Sequence, residues 1–247
     1  MATFVIVHGG WGGGWEWRDV SDQLRRLGDD AFTPTLTGVG EREHLADPEV
    51  DLNTHIRDVI GVLEWEDLED VVLVGHSSAG MVVTGVADRL PHRLALLVYV
   101  DAPVPEDGQC LLDLGAPDFA AALVRSAEAE GGWRVPFPFG EDIADYPEPV
   151  ARRYRSTFHP LAAFTQPLHL TGSGDGLPRA YVRCTRRTSY VESGPGADAL
   201  SRSAEAARAA GWIYREIEAA HDVQIEDPEG VAALLHELAT GVGMRRP

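Results

Sequence analysis

The run Val71-Val-Leu-Val74 is wholly apolar and passes without a break into Gly75-His76-Ser77-Ser78-Ala79-Gly80. Four consecutive branched apolar residues read as a strand buried on both faces, the condition of a strand inside a parallel sheet. The stretch 78–90 that follows has the composition of a helix and stops near Pro91. A strand that turns into a helix within three residues is the local form of an α/β sheet, because parallel strands need a crossover to return the chain. This segment alone sets aside all-α and antiparallel all-β architectures.

The same alternation runs through most of the chain. Short apolar runs at 3–7, 31–36, 94–100, 180–184 and 212–217 predict further strands. Helical spacing at 20–27, at 53–65 (Ile56, Val59, Ile60, Leu63), at 197–210 and after Asp227-Pro228 predicts the helices between them. The expected fold is α/β, with a mostly parallel sheet of about six strands flanked by helices. After Asp101 the alternation stops. Residues 103–178 are rich in Pro, Gly and aromatics, with no convincing strand and two helices predicted over 118–130 and 149–157. The expected organisation is one core, 1–102 and 179–247, with 103–178 inserted as a mainly helical cap over the carboxyl edge of the sheet.

Composition limits the partners. With 247 residues and a formal charge of −18, the chain suits one large domain and opposes binding to nucleic acid, which needs a basic face. No apolar run reaches the roughly 20 residues that cross a bilayer, and the start enters a strand at once. The two cysteines, Cys110 and Cys184, lack metal-type spacing and read as free thiols in a reducing cytoplasm. The expected partner is a small-molecule substrate, with no nucleic acid and no membrane; a homodimer stays open.

Chemistry concentrates at three places. Ser77 sits where a strand–turn–helix elbow forces its residue into a strained conformation, so small neighbours such as Gly75 and Ala79 are needed. The helix that starts there favours developing negative charge. The loop His8-Gly9-Gly10-Trp11 ends the first strand, and the amides of Gly10 and Ser78 are candidate donors to an oxyanion. His221, between the last strand and the last helix, follows Ser77 in the order a Ser–acid–His set requires in this architecture. His8 and His76 read as parts of the motif backbones, and His44, His55, His159 and His169 as exposed or cap positions. The acid is ambiguous: the loop after 180–184 carries Arg187 where a carboxylate is expected. Asp101 is placed ahead of Glu192 and Asp198. Trp11 with the cap aromatics Trp133, Phe137, Phe139, Phe158 and Phe164 are candidates for the substrate pocket.

Four motifs together, His8-Gly-Gly-Trp-Gly-Gly-Gly-Trp15, Thr35-Leu-Thr-Gly-Val-Gly-Glu-Arg42, Gly75-His-Ser-x-x-Gly-Met81 and Ala220-His-Asp-Val, resemble the methylesterase and hydroxynitrile-lyase group of α/β-hydrolases. Bacterial relatives of the plant salicylate methylesterases share all four. The resemblance implies Ser77 as nucleophile, His221 as base, Gly10 and Ser78 as oxyanion donors, a small enclosed pocket under the cap, and no metal or organic cofactor. The chain departs from the group at Arg187 and Ala79. Two reactions therefore stand side by side: hydrolysis of a small apolar or aromatic ester through an acyl-enzyme, and lyase, cyclase or decarboxylase chemistry using Ser77 and His221 as acid–base groups. A binding protein without turnover is the third reading.

Overall fold

Strand β1, Thr3–Val7, sends Phe4 and Ile6 into one apolar layer and Val5 and Val7 into another. Strand β3, Val71–His76, divides in the same way, with Val72 and Val74 against Val71 and Leu73. The continuous apolar runs in the sequence are thus strands with a helical layer on each face. The computed structural model describes residues 1–138, 156–186 and 197–241. Its six-stranded sheet also contains β2 (Asp30–Phe32), β4 (Leu94–Val100), β7 (Arg179–Cys184) and β8 (Ile213–Ile217). The order is β2-β1-β3-β4-β7-β8 and every pairing is parallel.

Helices α1 (Arg18–Arg26) and α8 (Pro228–Gly241) cover one face through Val20, Leu24, Val231 and Leu235. Helices α2 (Leu52–Trp65), α3 (Ala79–Arg89) and α7 (Ala197–Ala209) cover the other. Asp51 caps α2 by accepting from the Thr54 amide at 2.8 Å, which satisfies one of the free donors of its first turn. Among the described residues no helix is long and apolar enough to cross a membrane. Cys110 and Cys184 are buried and unpaired with each other.

Between β4 and β7 the chain leaves the sheet. It forms α4 (Leu111–Leu114), α5 (Pro117–Ala129) and α6 (Leu161–Thr165). Two expectations need correction. The strand over 31–36 is only Asp30–Phe32, because Pro34 cannot donate to a ladder. The insertion also contains a short antiparallel pair, β5 (Arg134–Val135) with β6 (His159–Pro160), too brief to leave a period in the sequence. The helix expected over 149–157 lies mostly outside the described residues.

The insertion is pinned to the loop after β1. Trp11 donates its Nε1–H to the Val135 carbonyl at 3.0 Å, and its own carbonyl accepts from the Thr157 amide at 2.9 Å. Around it, Leu123, Ala127, Val135 and Phe164 form a third apolar cluster.

Candidate active site

The elbow exists because three backbones approach too closely for side chains. A Cβ added at Gly75 would stand 2.6 Å from Val83 Cγ2, and one at Gly9 would stand 3.0 Å from Ser77 Cβ. One at Gly80 would stand 2.0 Å from the Pro103 carbonyl oxygen. The tightest demand at the start of α3 therefore falls on Gly80, next to Ala79, which stands where the usual pattern has its second glycine. Ser77 has φ of 52°, a left-handed conformation that costs a non-glycine residue of order 1–3 kcal/mol and persists only where its surroundings enforce it. Trp11 (φ 63°) and Asp101 (φ 42°) share this feature.

Ser77 follows β3, Asp101 follows the adjacent β4, and His221 lies in the loop after β8. The sheet order brings all three to one carboxyl edge, where α/β sheets bind ligands. The amide of Asp101 donates to the Val182 carbonyl at 2.8 Å, and that of Ser77 to the Val100 carbonyl at 3.3 Å. His221 is buried. Its Nδ1 lies 2.7 Å from Asp101 Oδ2 and its Nε2 lies 2.9 Å from Ser77 Oγ. A carboxylate can only accept, so Nδ1 carries a proton and Nε2 is left to accept the Ser77 hydroxyl. His76 lies beside this ring, tilted by 37° with centroids 4.8 Å apart, and donates its Nε2–H to the His221 carbonyl at 2.8 Å, fixing the loop.

Burial by itself would push the His221 pKa down. The hydrogen bond and charge of Asp101, with help from Asp222, outweigh it, so the pKa lies above the usual histidine value. Arg183 opposes them. It is a buried cation on β7, with Nη1 3.4 Å from Asp101 Oδ1 and Nη2 donating to Ser201 Oγ at 3.1 Å. Asp101 thus lies between imidazole and guanidinium, one oxygen toward each.

The amides of Gly10 and Ser78 donate to no other group among the described residues. Gly10 adjoins both Ser78 Oγ and the Phe164 ring, within 3.3 and 3.4 Å of where its Cβ would be. Next to Ser78 lies a narrow recess with a cavity volume of about 10 Å³, room for about one water. Its walls include Met81, Phe164, His55 and His159. Trp133, Phe137 and Phe158 are not among the residues that line this recess. Trp133 and Phe158 flank the Arg134 guanidinium at 5.5 and 4.9 Å, and Phe137 meets the edge of Trp11 at 5.8 Å. Phe139, Arg187 and Glu192, together with the side chain of Asp198, lie outside the described residues.

His55 and His159, expected at exposed or cap positions, are buried at 2% and 3% exposure. His55 had a legible signal, since it falls on the apolar stripe Leu52, Ile56, Val59, Leu63 of α2. Arg183 had one too, as a charge inside a strand otherwise buried. His159 had none, because its segment lacks any period.

A sheet of this order with a strained serine at the β3–α3 turn defines the class, and the sequence agrees: the chain belongs to the alpha/beta hydrolase family, whose model matches residues 4–234. Among curated relatives it is 44% identical over 194 residues to a carbendazim hydrolyzing esterase of Nocardioides sp. (strain SG-4G), covering 74% of this chain and 79% of that protein. It is 30% identical over 123 residues to a putative chloroplastic methylesterase 14 of Arabidopsis thaliana, a match spanning 49% of this chain and 35% of the plant protein. Among solved structures, an extracellular alpha/beta-hydrolase from a Paenibacillus species superposes with a TM-score of 0.79 at 22% identity, covering 97% of this chain and 99% of that one. At that identity the likeness concerns the fold.

Proposed function

We propose that this protein is a carboxylic-ester hydrolase that acts on esters of small apolar or aromatic acids through an acyl-enzyme on Ser77. The observation that carries the reading is the unbroken hydrogen-bonded chain from Ser77 Oγ through His221 to Asp101, at 2.9 and 2.7 Å. The 44% identity to an esterase over most of both chains supports it.

In this reading Ser77 Oγ attacks the ester carbonyl as its proton passes to His221 Nε2. The negative charge that develops on the carbonyl oxygen is met by the Gly10 and Ser78 amides, the latter at the N-terminus of α3. His221 then gives the proton to the departing alcohol, leaving acyl-Ser77. Water, deprotonated by His221, releases the acid and restores the serine. Asp101 holds the imidazole in the tautomer this needs and stabilises the imidazolium, without itself taking the proton. The lyase, cyclase and decarboxylase readings gained weight from a missing carboxylate, and the bond from His221 to Asp101 supports the hydrolytic reading over them.

The division into a core of 1–102 and 179–247 with a cap of 103–178 belongs to the same reading: the core carries the chemistry and the cap closes the pocket. The substrate is a small molecule and the location a reducing cytoplasm, in keeping with two buried free thiols. Hydrolysis of short p-nitrophenyl esters tests the proposal. Ser77→Ala is expected to abolish turnover while leaving the circular dichroism spectrum and melting profile of the wild type. A Ser77→Ala protein that still turns over would overturn it.

A further inference from the structure

Five of the six residues from Gly9 to Gly14 are glycines, the residue type that adopts a left-handed backbone at no steric cost. None of the five does so. The left-handed conformation falls on Trp11, with φ of 63°. For a bulky side chain this is an outlier that its surroundings have to enforce. Groups of the insertion hold it there. Trp11 donates Nε1–H to the Val135 carbonyl at 3.0 Å. Its own carbonyl accepts from the Thr157 amide at 2.9 Å and, more weakly, from the Thr157 hydroxyl at 3.4 Å. Thr157 Oγ1 in turn accepts from the Gly40 amide at 2.9 Å. The indole packs with Leu123, Ala127, Val135 and Phe164.

Trp11 directly follows Gly10, the candidate oxyanion donor. Gly10 has no side chain by which it could be held, and a Cβ there would crowd Ser78 Oγ at 3.3 Å and Phe164 Cζ at 3.4 Å. The direction of its amide is therefore set by its neighbours. Upstream the neighbour is His8, which is buried. Its Nε2 accepts the Leu36 amide at 3.1 Å, so Nδ1 carries the proton and donates to the Gly9 carbonyl at 2.7 Å. That carbonyl and the Gly10 N–H belong to one trans peptide and point in opposite directions. Downstream the chain is gripped at Trp11, and the gripping groups lie on the insertion rather than on the sheet.

We propose that Trp11 is a positioning residue through which docking of the insertion sets the Gly10 amide, coupling the seating of the cap to stabilisation of the oxyanion. The proposal rests on the esterase reading, which makes Gly10 an oxyanion donor. It goes beyond that reading in assigning Trp11 to the backbone geometry of the site rather than to the wall of a substrate pocket. An oxyanion donor acts on charge that develops in the transition state, so displacing it lowers kcat and leaves KM nearly unchanged. Loss of a ring that binds substrate raises KM instead.

The test is steady-state hydrolysis of p-nitrophenyl butyrate. Trp11→Phe keeps a ring in the apolar cluster and removes the bond to Val135. Its kcat is expected to fall roughly 10–100-fold with KM changed by less than about threefold. Thr157→Val removes the hydroxyl that joins Gly40 to the Trp11 carbonyl and is expected to lower kcat by about 3–10-fold. Thr157→Ser, which keeps that hydroxyl, is expected to recover most of the loss. A folded Trp11→Phe protein with unchanged kcat, or with a raised KM alone, overturns the coupling; should that variant not fold, an unchanged kcat in Thr157→Val overturns it. A second measurement is independent of turnover: calorimetric binding of 2,2,2-trifluoroacetophenone and of acetophenone. The carbonyl carbon of the trifluoro ketone bonds to Ser77 Oγ, the serine proton passes to His221, and the carbonyl oxygen takes the negative charge at the oxyanion site. Its binding is expected to weaken at least about tenfold in Trp11→Phe, with acetophenone unchanged. Equal changes for the two ketones overturn the coupling. Failure of the esterase reading looks different: the wild type then turns over no ester, and the ketone pair still reads the oxyanion site.

Discussion

Arg183 is the feature of the site whose removal has a counter-intuitive result. It contacts Asp101 Oδ1 at 3.4 Å while His221 holds Oδ2 at 2.7 Å, so a fixed positive charge faces the imidazole across one carboxylate. Replacing it by methionine keeps the length of the side chain and removes the charge. Two unit charges about 7 Å apart at an effective dielectric of about 20 interact by roughly 2 kcal/mol, equivalent to about 1.5 pH units. Relaxation around the buried group reduces this to about one unit in practice. The sign follows from the chemistry. Arg183 disfavours imidazolium, so Arg183→Met raises the His221 pKa, and the neutral base is lost at a higher pH. The assay is kcat/KM for a p-nitrophenyl ester against pH, which reports the base in the free enzyme. The acid limb is expected to move up by about one unit relative to the wild type. A limb that stays in place, or moves down, in a folded Arg183→Met protein would refute the placement of this cation in the electrostatics of the base.

Asp101→Asn is expected to lower kcat by roughly 10³–10⁴-fold with little change in KM, because an amide can hold the imidazole in the wrong tautomer; steady-state kinetics on a p-nitrophenyl ester decides it. Gly80→Ala drives a methyl group into the Pro103 carbonyl, 2.0 Å from the ideal Cβ position, and is expected to cost about 1–3 kcal/mol or more of stability. Calorimetric melting should show this as a fall of about 2–4 °C per kcal/mol in a domain of this size. An unchanged Tm would mean that the turn is not close-packed there.

The core of the fold was legible because its signals are strong and local. The run Val71–Val74 could only be a doubly covered strand, and the strands at 94–100 and 180–184 were bounded within a residue of where they lie. Ser77 and His221 were legible because a strand–turn–helix and a chain order constrain them. Asp101 was harder: the choice between it and Glu192 is a matter of which loop folds over His221, a non-local fact that no spacing records. The pocket was least legible. Trp133 and Phe158 flank Arg134, while the recess beside Ser78 is lined by Phe164 and by two histidines that composition did not single out. Aromatic composition identifies a segment that packs; it does not say which ring faces a ligand and which anchors the segment.

The central claim is that Ser77 is the nucleophile, activated by His221. The measurement that tests it most directly is reaction with a fluorophosphonate, followed by mass spectrometry of the labelled peptide. The account predicts stoichiometric label on Ser77, none on Ser78, and labelling slowed by orders of magnitude in His221→Ala. Label on Ser78, or an enzyme that hydrolyses esters while Ser77 stays unmodified, would contradict it.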